Sequence, residues 1–364
     1  MLTKHDEFLC HQTVDTFDSV ATSAREWTER IWFSAHDTKG ECQLIGGFGM
    51  YPNRNIMDAF VCFVVDGKTQ HCVRASRELR PGIDDMRVGP LAYEILEPMR
   101  RVRFSLGENE YGLSCDIEFN GTLMPLEEET QFARFRGRVA ENIKRYVQVG
   151  RPSGWIRADG KTFKVEEAGW RAERDHSWGI RRGGGVPETG VQPGEIPQGY
   201  LYNFLLAQFG EWGVTYHTRE SWDAKTITFS GAVMYPPDAD KVEHGIVRVD
   251  HNYTFRPDVR QINGGTVALH PDGGSPIELT IRPLSTCHIR AGGYFGFRGF
   301  THGLWMGQSF CDGFKLDLTD ANTFNEVSFL EDFMCEMRCG NEVGYGIVEL
   351  VLIGKYPKYG YLSY

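Results

Sequence analysis

Long apolar runs and basic clusters are both missing from this chain. No stretch approaches the roughly 18 apolar residues of a membrane-spanning helix, and the charged start, MLTKHDEFLC, has no signal-peptide core. Acidic residues outnumber basic ones by 49 to 39, and the net charge of −10 disfavours nucleic acid as a partner. The sequence therefore predicts a cytoplasmic protein that has no integral membrane segment and binds no nucleic acid.

Metal and phosphate motifs are also scarce. The eleven histidines contain no His-Glu-x-x-His, and Cys335 and Cys339 lack the second pair that a zinc site requires. The segment GYGIVE, residues 344–349, opens a strand pattern and not the helix of a dinucleotide-binding loop. We therefore expect no metal and no cofactor. The nine cysteines form no dense framework and are expected to be reduced thiols.

Short alternating runs dominate the sequence, which is rich in glycine and aromatic residues. Six runs have the alternation or β-branched content of strands: residues 56–67, 68–76, 111–119, 226–235, 277–284 and 346–354. Asp-Gly, Asn-Gly and Gly-Gly pairs separate such runs and are typical of hairpin turns. These patterns predict an all-β protein built mainly from antiparallel strands.

Helical spacing occurs in only two segments. Apolar residues between positions 17 and 31 repeat behind the candidate caps Asp15 and Thr16. Apolar residues at positions 327, 330, 334 and 337 repeat in the same way behind Asp320. Both segments predict short helices whose apolar stripes face the core.

The clearest linker is RRGGGVPETGVQPGEIPQG, residues 181–199, which is rich in glycine and proline and has no apolar period. A chain of 364 residues also exceeds what one hydrophobic core usually spans. We therefore predict an N-terminal domain over residues 1–185 and a C-terminal domain over residues 186–364.

A dense group of polar and aromatic residues precedes this linker, in RAERDHSWGIRRGGG, residues 171–185. Its DHSWG differs from a nucleophile elbow, because Asp175 replaces the first glycine and no helix pattern follows Ser177. His176 is instead a candidate for proton transfer near neutral pH, with Asp175 orienting its ring. Trp178 is a candidate for an aromatic wall that stabilises a developing cation.

The same residues also allow a structural interpretation. Arg174 or Arg181 could pair with Asp175 to clamp the linker, with Trp178 buried between the domains. Catalysis and clamping both remain open at this point.

Two short motifs resemble a known group of proteins. RDHSWGIR, residues 174–181, and GYGIVE, residues 344–349, resemble motifs of the carotenoid 1,2-hydratase (hydroxyneurosporene synthase)/AttH-like superfamily, in a bacterial branch. The resemblance implies two lipocalin-like antiparallel β-barrel domains with a few short helices and a cavity near their junction. It also implies that the His-x-Trp pair of the hydratases corresponds to His176 and Trp178.

The hydratases carry a second pair, Tyr-x-Asp, some 25 residues after the first. No tyrosine in this chain has an aspartate two residues later, so the resemblance does not extend to that pair. Tyr200 and Tyr202, in GYLYNF, occupy the corresponding region. A tyrosine there can donate to an oxyanion or take a phenolic proton.

Residues and resemblance together predict a cofactor-independent lyase or hydratase that uses acid–base catalysis on a bulky hydrophobic or aromatic small molecule. A lignin-type aromatic dimer that releases formaldehyde is one such substrate, and a homodimer is one expected assembly. The predicted catalytic residues are His176, Asp175, Tyr200 and Tyr202, and the predicted substrate-binding residues are Trp178, Arg181, Tyr216 and His217. The alternative is a non-catalytic carrier, which needs only an apolar lining in its cavity.

Overall fold

The computed structural model describes residues 20–135, 137–181, 198–239, 244–257 and 259–363. Most of these residues belong to antiparallel strands arranged in two sheets, which confirms the predicted all-β fold with two lipocalin-like units. Helical structure is short: α1 (Ala321–Val327) and the 3-10 turns Pro52–Arg54, Ile289–Gly292 and Pro357–Tyr359. None of the described helices is long and apolar enough to cross a membrane.

The first sheet is open, and strand numbers follow the chain. It contains β1 (Trp27–Asp37), β2 (Cys42–Tyr51), β3 (Ile56–Val65), β4 (Thr69–Glu78), β5 (Arg87–Val88), β6 (Leu91–Glu97), β7 (Arg101–Leu106), β8 (Leu113–Gly121), β9 (Leu126–Glu127), β10 (Gln131–Phe135), β11 (Arg138–Ala158), β12 (Lys161–Val165), β13 (Trp170–Ile180) and β20 (Ser309–Asp317). The spatial order is β20-β4-β3-β2-β1-β13-β11-β8-β7-β6-β5, and β9, β10 and β12 pair with β11. Strand β1 therefore lies beside β13 at the centre of this sheet.

The second sheet closes into a barrel. Its eight strands, in spatial order, are β14 (Gly199–Gln208), β15 (Gly213–Ser221), β16 (Thr226–Met234), β17 (His244–Phe255), β18 (Ile262–Pro271), β19 (Ile277–His288), β21 (Glu331–Cys339) and β22 (Glu342–Gly354). The six runs with strand patterns all lie mainly in strands of these two sheets. Alternation predicted them because successive side chains of a strand point to opposite faces.

Each sheet buries one core on its inner face and shares another with its neighbour. Phe33 and Phe104 belong to the core inside the first sheet, and Tyr216 belongs to the core inside the barrel. Between them, Trp32 of β1 packs in a third core that includes Met334 of β21. The outer faces of the two sheets therefore pack against each other, and this junction positions the candidate site.

The two predicted helices are largely wrong. Residues 1–19 lie outside the described part of the chain, and Trp27–Asp37 is strand β1 instead of a helix end. Asp320 does cap α1, because its Oδ2 accepts from the Thr323 N–H at 2.8 Å, but the chain is a strand again from Glu331.

The misleading spacing in β21 has a physical cause. Met334 packs in the junction core, while Met337 packs inside the barrel. A strand buried on both faces carries apolar residues on both, so it loses the strict alternation that marks a strand with one exposed face.

The proposed linker lies almost entirely outside the described residues, which omit 182–197. Strand β20 belongs to the second half of the chain but pairs with β4 of the first sheet. The domain boundary near residue 185 stays a prediction.

Candidate functional site

Strand alternation sorts the residues of β1 and β13 onto two faces. In the register of these strands, Trp32 lies opposite Asp175, and Arg30 lies opposite Ser177. These four side chains face the junction, where they line a cavity of about 350 Å³. His176 has the opposite orientation, because neighbours along a strand point to opposite faces.

The junction cavity combines aromatic walls with an unusual number of charges. Its aromatic lining residues are Trp32, Tyr51, Tyr200, Tyr202, Tyr294 and Phe295, and its charged lining residues are Arg30, Arg145, Arg181, Arg219, Glu141, Asp175 and Glu349. The charged groups come from β1, β11, β13, β15 and β22, so both sheets contribute. Such a mixture of aromatic walls and convergent polar groups is typical of small-molecule sites.

Two of the four cavity arginines are held by carboxylates. Arg145 donates from Nε and Nη2 to the two oxygens of Glu128, at 2.8 and 2.9 Å, and its Nη1 lies 3.6 Å from Asp175 Oδ2. Arg219 donates from Nη1 to a Glu141 carboxylate oxygen and from Nη2 to Gln131 Oε1 at 2.9 Å. The bidentate geometry fixes the Arg145 guanidinium, and the pair is only 6% and 2% exposed.

The other two arginines make no ion pair with the described residues. Arg30 stacks its guanidinium over the Tyr294 ring, 4.6 Å from the ring centre. Arg181 donates from Nη2 to Ser177 Oγ at 3.0 Å, while its buried Nε has no acceptor among the described residues. Burial, followed by the charge of Arg30, lowers the pKa of Arg181.

Glu349 is the cavity carboxyl with the most perturbed titration. It lies on β22 directly opposite Asp332 of β21, and no described hydrogen-bond donor contacts its carboxyl group. Burial raises its pKa to about 7, against the lowering effect of Arg145, Arg181 and Arg30. A carboxyl group with this pKa exchanges a proton readily at neutral pH.

Asp332 lies beside Glu349 on the neighbouring strand, behind the cavity wall. Its Oδ2 accepts from Trp32 Nε1 at 3.0 Å, while its buried Oδ1 has no partner among the described residues. Burial, together with the charge of Glu349, raises the pKa of Asp332 well above its usual range. The two carboxyl groups therefore keep their protons to a higher pH than they would in bulk water.

A loop that follows β19 closes one side of the cavity. Gly293 has a φ of 114° there, and a Cβ at this position would lie only 2.6 Å from the Phe300 ring. This loop places Tyr294 and His302 in the wall. Burial lowers the pKa of His302 to about 4, with Arg30 adding to the effect, so its ring is neutral at pH 7.

The tyrosines of the cavity are proton donors. Burial raises the pKa values of Tyr200 and Tyr294 to about 12, and that of Tyr202 higher still. Tyr202 also receives a long hydrogen bond, at 3.4 Å, from Arg145 Nη1. The sequence-based prediction put Tyr200 and Tyr202 in the site, and the structure brings both to the cavity with Asp175 and Arg181.

His176 and Trp178 lie together in a second depression, which we call the groove. Their rings make an edge contact at 5.5 Å, and Tyr146 lies on the other side of the His176 ring. The predicted pairing of Asp175 with His176 is wrong, because the two side chains point to opposite faces of β13. The carboxylate that contacts His176 is that of Glu29, at 2.8 Å from Nε2.

The last two predicted residues lie behind the cavity wall. Tyr216 is buried in the barrel core, where its hydroxyl bonds to Asn203 and Tyr253. The buried His217 ring packs 5.0 Å from that of Tyr202. Burial lowers the pKa of His217 well below its usual range, with Arg145 contributing. Neither residue lines the cavity, so their predicted contact with substrate has no geometric support.

Sequence reasoning missed Glu349, Arg30 and His302. Glu349 carried a signal, since it is the only charge in the apolar run GIVELVLIG. Arg30 did not, because its alternation with apolar neighbours in WTERIWF resembles that of a solvent-facing residue. Within the described residues, no three His, Cys, Asp or Glu side chains lie close enough together to hold a metal ion.

Comparison with known proteins places this chain in a family. The model of DUF8625, a family of unknown function, matches residues 2–362. The chain belongs to this family. No curated protein matches it by sequence.

Solved structures share the fold at low sequence identity. An AttH-like protein from Nitrosomonas europaea superposes with a TM-score of 0.54 at 13% identity, over 89% of this chain and 92% of that one. CghA with Sch210972 gives 0.51 at 10% identity, over 91% and 89%. Kievitone hydratase from Nectria haematococca gives 0.45 at 10% identity, over 89% of each chain. The AttH-like protein and CghA show that this chain shares their two-unit β fold, and the comparison establishes the fold alone.

Proposed function

We propose that this protein is a cofactor-independent hydratase or lyase that transforms a hydrophobic or aromatic small molecule in the junction cavity. The observation that carries the proposal is Glu349, an unpaired carboxyl in an aromatic cavity wall with a pKa near 7. A catalytic acid–base group works best when its pKa lies near the working pH. A carrier has no need for a titratable group in this position.

The cavity residues suit proton transfer to or from carbon. In a hydration, protonated Glu349 gives its proton to one carbon of a double bond, and the face of Trp32 stabilises the cation that develops. Water adds to the other carbon, and the proton that it then loses returns to the Glu349 carboxylate. Elimination is the same sequence in reverse, and neither direction requires an electron donor.

Neutral donors and acceptors complete the proposed site. Tyr200 and Tyr202 keep their protons at neutral pH and can donate to an oxygen of the substrate. His302 is neutral, its Nδ1 lies 3.5 Å from Asp58 Oδ1, and its Nε2 has no hydrogen-bond partner among the described residues, so Nε2 can position the water molecule. These roles preserve the predicted function and the predicted tyrosines, but move the acid–base group from His176 to Glu349.

The groove is the second candidate location. His176 with Glu29 resembles the arrangement of a proton-transferring histidine and its orienting carboxylate, and Trp178 gives an aromatic wall. Water reaches both side chains, which are 26% and 37% exposed. We therefore place the principal chemistry in the cavity, where ion pairs such as Arg145–Glu128 are more deeply buried and charge–charge effects are larger.

One neighbour supports ligand binding by this architecture. CghA has the same fold and has been crystallised with Sch210972. By analogy, we propose that this chain holds its substrate between its two β units. A lignin-type aromatic dimer that loses formaldehyde remains one candidate substrate, together with aromatic alkenes and their hydrates.

The proposal is tested by incubating the protein in D₂O with these three compound classes. Mass spectrometry then follows gain or loss of water, loss of formaldehyde and deuterium bound to carbon. We expect turnover of at least one class, and a loss of about 100-fold or more in Glu349→Gln. The matched control is Glu342→Gln, at the exposed start of the same strand, which should retain turnover.

Two results would count against this proposal. Unchanged turnover in Glu349→Gln would remove the acid–base role of that residue. If every compound that binds is recovered intact, the protein is the carrier of the alternative hypothesis.

A further inference from the structure

The four arginines of the junction cavity fall into two pairs with different surroundings. Arg145 and Arg219 are each neutralised by a glutamate, as described above. No carboxylate of the described residues makes an ion pair with Arg30 or Arg181, although both line the same cavity. Both residues are partly buried, and a charge that is withdrawn from water is ordinarily paired, because its lost hydration is costly.

The nearby acids do not neutralise this second pair. Asp175 makes its ion-pair contact with Arg145, at 3.6 Å. Glu349 keeps a pKa near 7 even though Arg30 and Arg181 both lower it, so its carboxyl group is protonated for much of the time at neutral pH. Two guanidinium groups therefore face the cavity with unused hydrogen-bond donors.

The two guanidinium groups also act on each other. After burial itself, the charge of Arg30 is the largest influence that lowers the pKa of Arg181. Arg30 keeps its charge, because Tyr294, Tyr51, Asp58 and Asp175 together outweigh its burial and raise its pKa. Like charges that line one cavity repel each other, and an anion bound by both would relieve the repulsion.

We propose that Arg30 and Arg181 form an anion-binding subsite of the junction cavity, and that its ligand is the carboxylate of an aromatic acid. The inference rests on the proposed function and narrows its substrate class. A guanidinium group matches a carboxylate in two parallel hydrogen bonds, which makes arginine the preferred partner for planar anions. The Tyr294 ring beneath Arg30 and the nearby Trp32 and Tyr200 give an aromatic body its contact surface.

The acids of the cavity favour a single negative charge. Asp175 and Glu349 line the same space as the two arginines, so a phosphate dianion would meet repulsion that a carboxylate avoids. Arg145, Arg181 and Arg30 all lower the pKa of Glu349, and a bound carboxylate would neutralise the last two. Substrate binding would then raise that pKa and keep the proton on Glu349 until it is transferred.

The test compares two ligands that share one aromatic body. Isothermal titration calorimetry at pH 7 measures the affinity of 2-naphthoate and of its uncharged analogue 2-naphthamide for the wild-type protein. We expect naphthoate to bind at least about tenfold more tightly, since two charge-assisted contacts are lost in the amide. Equal affinities, or no binding of naphthoate at millimolar concentration, would overturn the proposal without any variant being needed.

Variants then locate the subsite. Arg30→Gln and Arg181→Gln should each weaken naphthoate at least about tenfold and leave naphthamide unchanged. The control is Arg103→Gln, which removes an exposed arginine paired with Asp116 far from the cavity and should change neither ligand. If the cavity variants weaken both ligands equally, or neither, the arginines are structural and the subsite does not exist.

Melting temperatures measured without ligand show whether the variants fold. Because Arg30 and Arg181 have no carboxylate partner, Arg30→Met and Arg181→Met should melt at or above the wild-type temperature. A large drop in melting temperature for both would show that they belong to internal ion pairs, contrary to the proposal. Displacement of naphthoate by sulfate more strongly than by benzoate, at equal ionic strength, would reassign the subsite to an inorganic anion.

These outcomes are separate from those of the proposed function. Equal binding of naphthoate and naphthamide removes the anion subsite but leaves acid–base turnover by Glu349 intact. Unchanged turnover in Glu349→Gln removes the acid–base role, while the preference for naphthoate can still be measured.

Discussion

The junction cavity and the groove lie on opposite faces of β13, and they differ in how far water reaches their charged groups. In the cavity, Arg145 and Glu128 are almost completely buried. In the groove, His176 and Glu29 remain about a quarter and more than a third exposed. Water screens an exposed pair and leaves it worth about 0–1 kcal/mol, whereas a buried pair responds strongly to the loss of either partner.

The comparison shows why neighbours in sequence need not share a site. Asp175 and His176 are adjacent, yet strand alternation sends the first to the cavity and the second to the groove. The cavity residues of β1 and β13 are brought together by the register of these two strands, which places Arg30 beside Ser177 and Trp32 beside Asp175. A short motif on a strand therefore describes two environments, one on each face.

The largest effect that separates the two regions is expected from their ion pairs. Arg145→Met leaves Glu128 buried without its partner, and should lower the free energy of unfolding by about 3–5 kcal/mol. The matched change in the groove, Glu29→Gln, should cost no more than about 1 kcal/mol. Urea unfolding of both variants measures the difference, and equal losses would show that the two regions are equally desolvated.

The pH dependence of stability should also distinguish the cavity from the groove. Burial raises the pKa of Glu349 from 4.5 to about 7 in the folded protein. Between these values the unfolded chain has lost the proton and the folded chain retains it, so the stability contributed by Glu349 is complete below pH 4.5 and falls until about pH 7. The shift corresponds to roughly 3 kcal/mol at most.

Variants isolate this contribution from other titrating groups. Glu349→Gln should remove the decline between pH 4.5 and 7 that the wild-type protein shows, whereas Glu342→Gln, on the exposed end of β22, should keep it. If the difference in free energy of unfolding between wild type and Glu349→Gln does not change across this pH range, the pKa of Glu349 is not raised by folding.

A smaller effect is expected from the tryptophans of the two regions. Trp32→Phe removes the hydrogen bond that Asp332 receives from Nε1, and should destabilise the protein by about 1–3 kcal/mol. Trp178→Phe keeps an aromatic edge against His176 and loses no recorded hydrogen bond among the described residues, so it should cost less. A larger drop in melting temperature for Trp178→Phe than for Trp32→Phe would show that the hydrogen bond from Trp32 to Asp332 contributes little to stability.

The sequence predicted most strands but only part of the site, and particular residues explain the difference. Residues 56–67 do not alternate, because β3 is buried on both faces, but their Val, Ile and Phe content and the Asp-Gly that follows still predict a strand. Strand β21 was mistaken for a helix because Met334 and Met337 are buried on opposite faces. A strand buried on both faces is therefore predicted when β-branched residues fill it, as in β3, and is missed when they do not, as in β21.

The cavity depends on information that local pattern does not contain. Tyr200 and Tyr202 were found through a resemblance, and Arg181 through its position beside the linker. Glu349 and Arg30 are more than 300 residues apart along the chain. They line the same cavity only because the two sheets pack face to face. No periodicity within either strand specifies that the two share a cavity, and from the sequence alone His176 was the predicted acid–base group.

The central claim is that Glu349 holds and releases a proton near neutral pH in a desolvated cavity. Infrared difference spectra between wild type and Glu349→Gln, recorded from pH 4 to 9, isolate the carbonyl stretch of its protonated carboxyl group. We expect this band to be present at pH 5 and to disappear with a midpoint near 7. A midpoint at or below 4.5, the ordinary value for a glutamate, would contradict the claim.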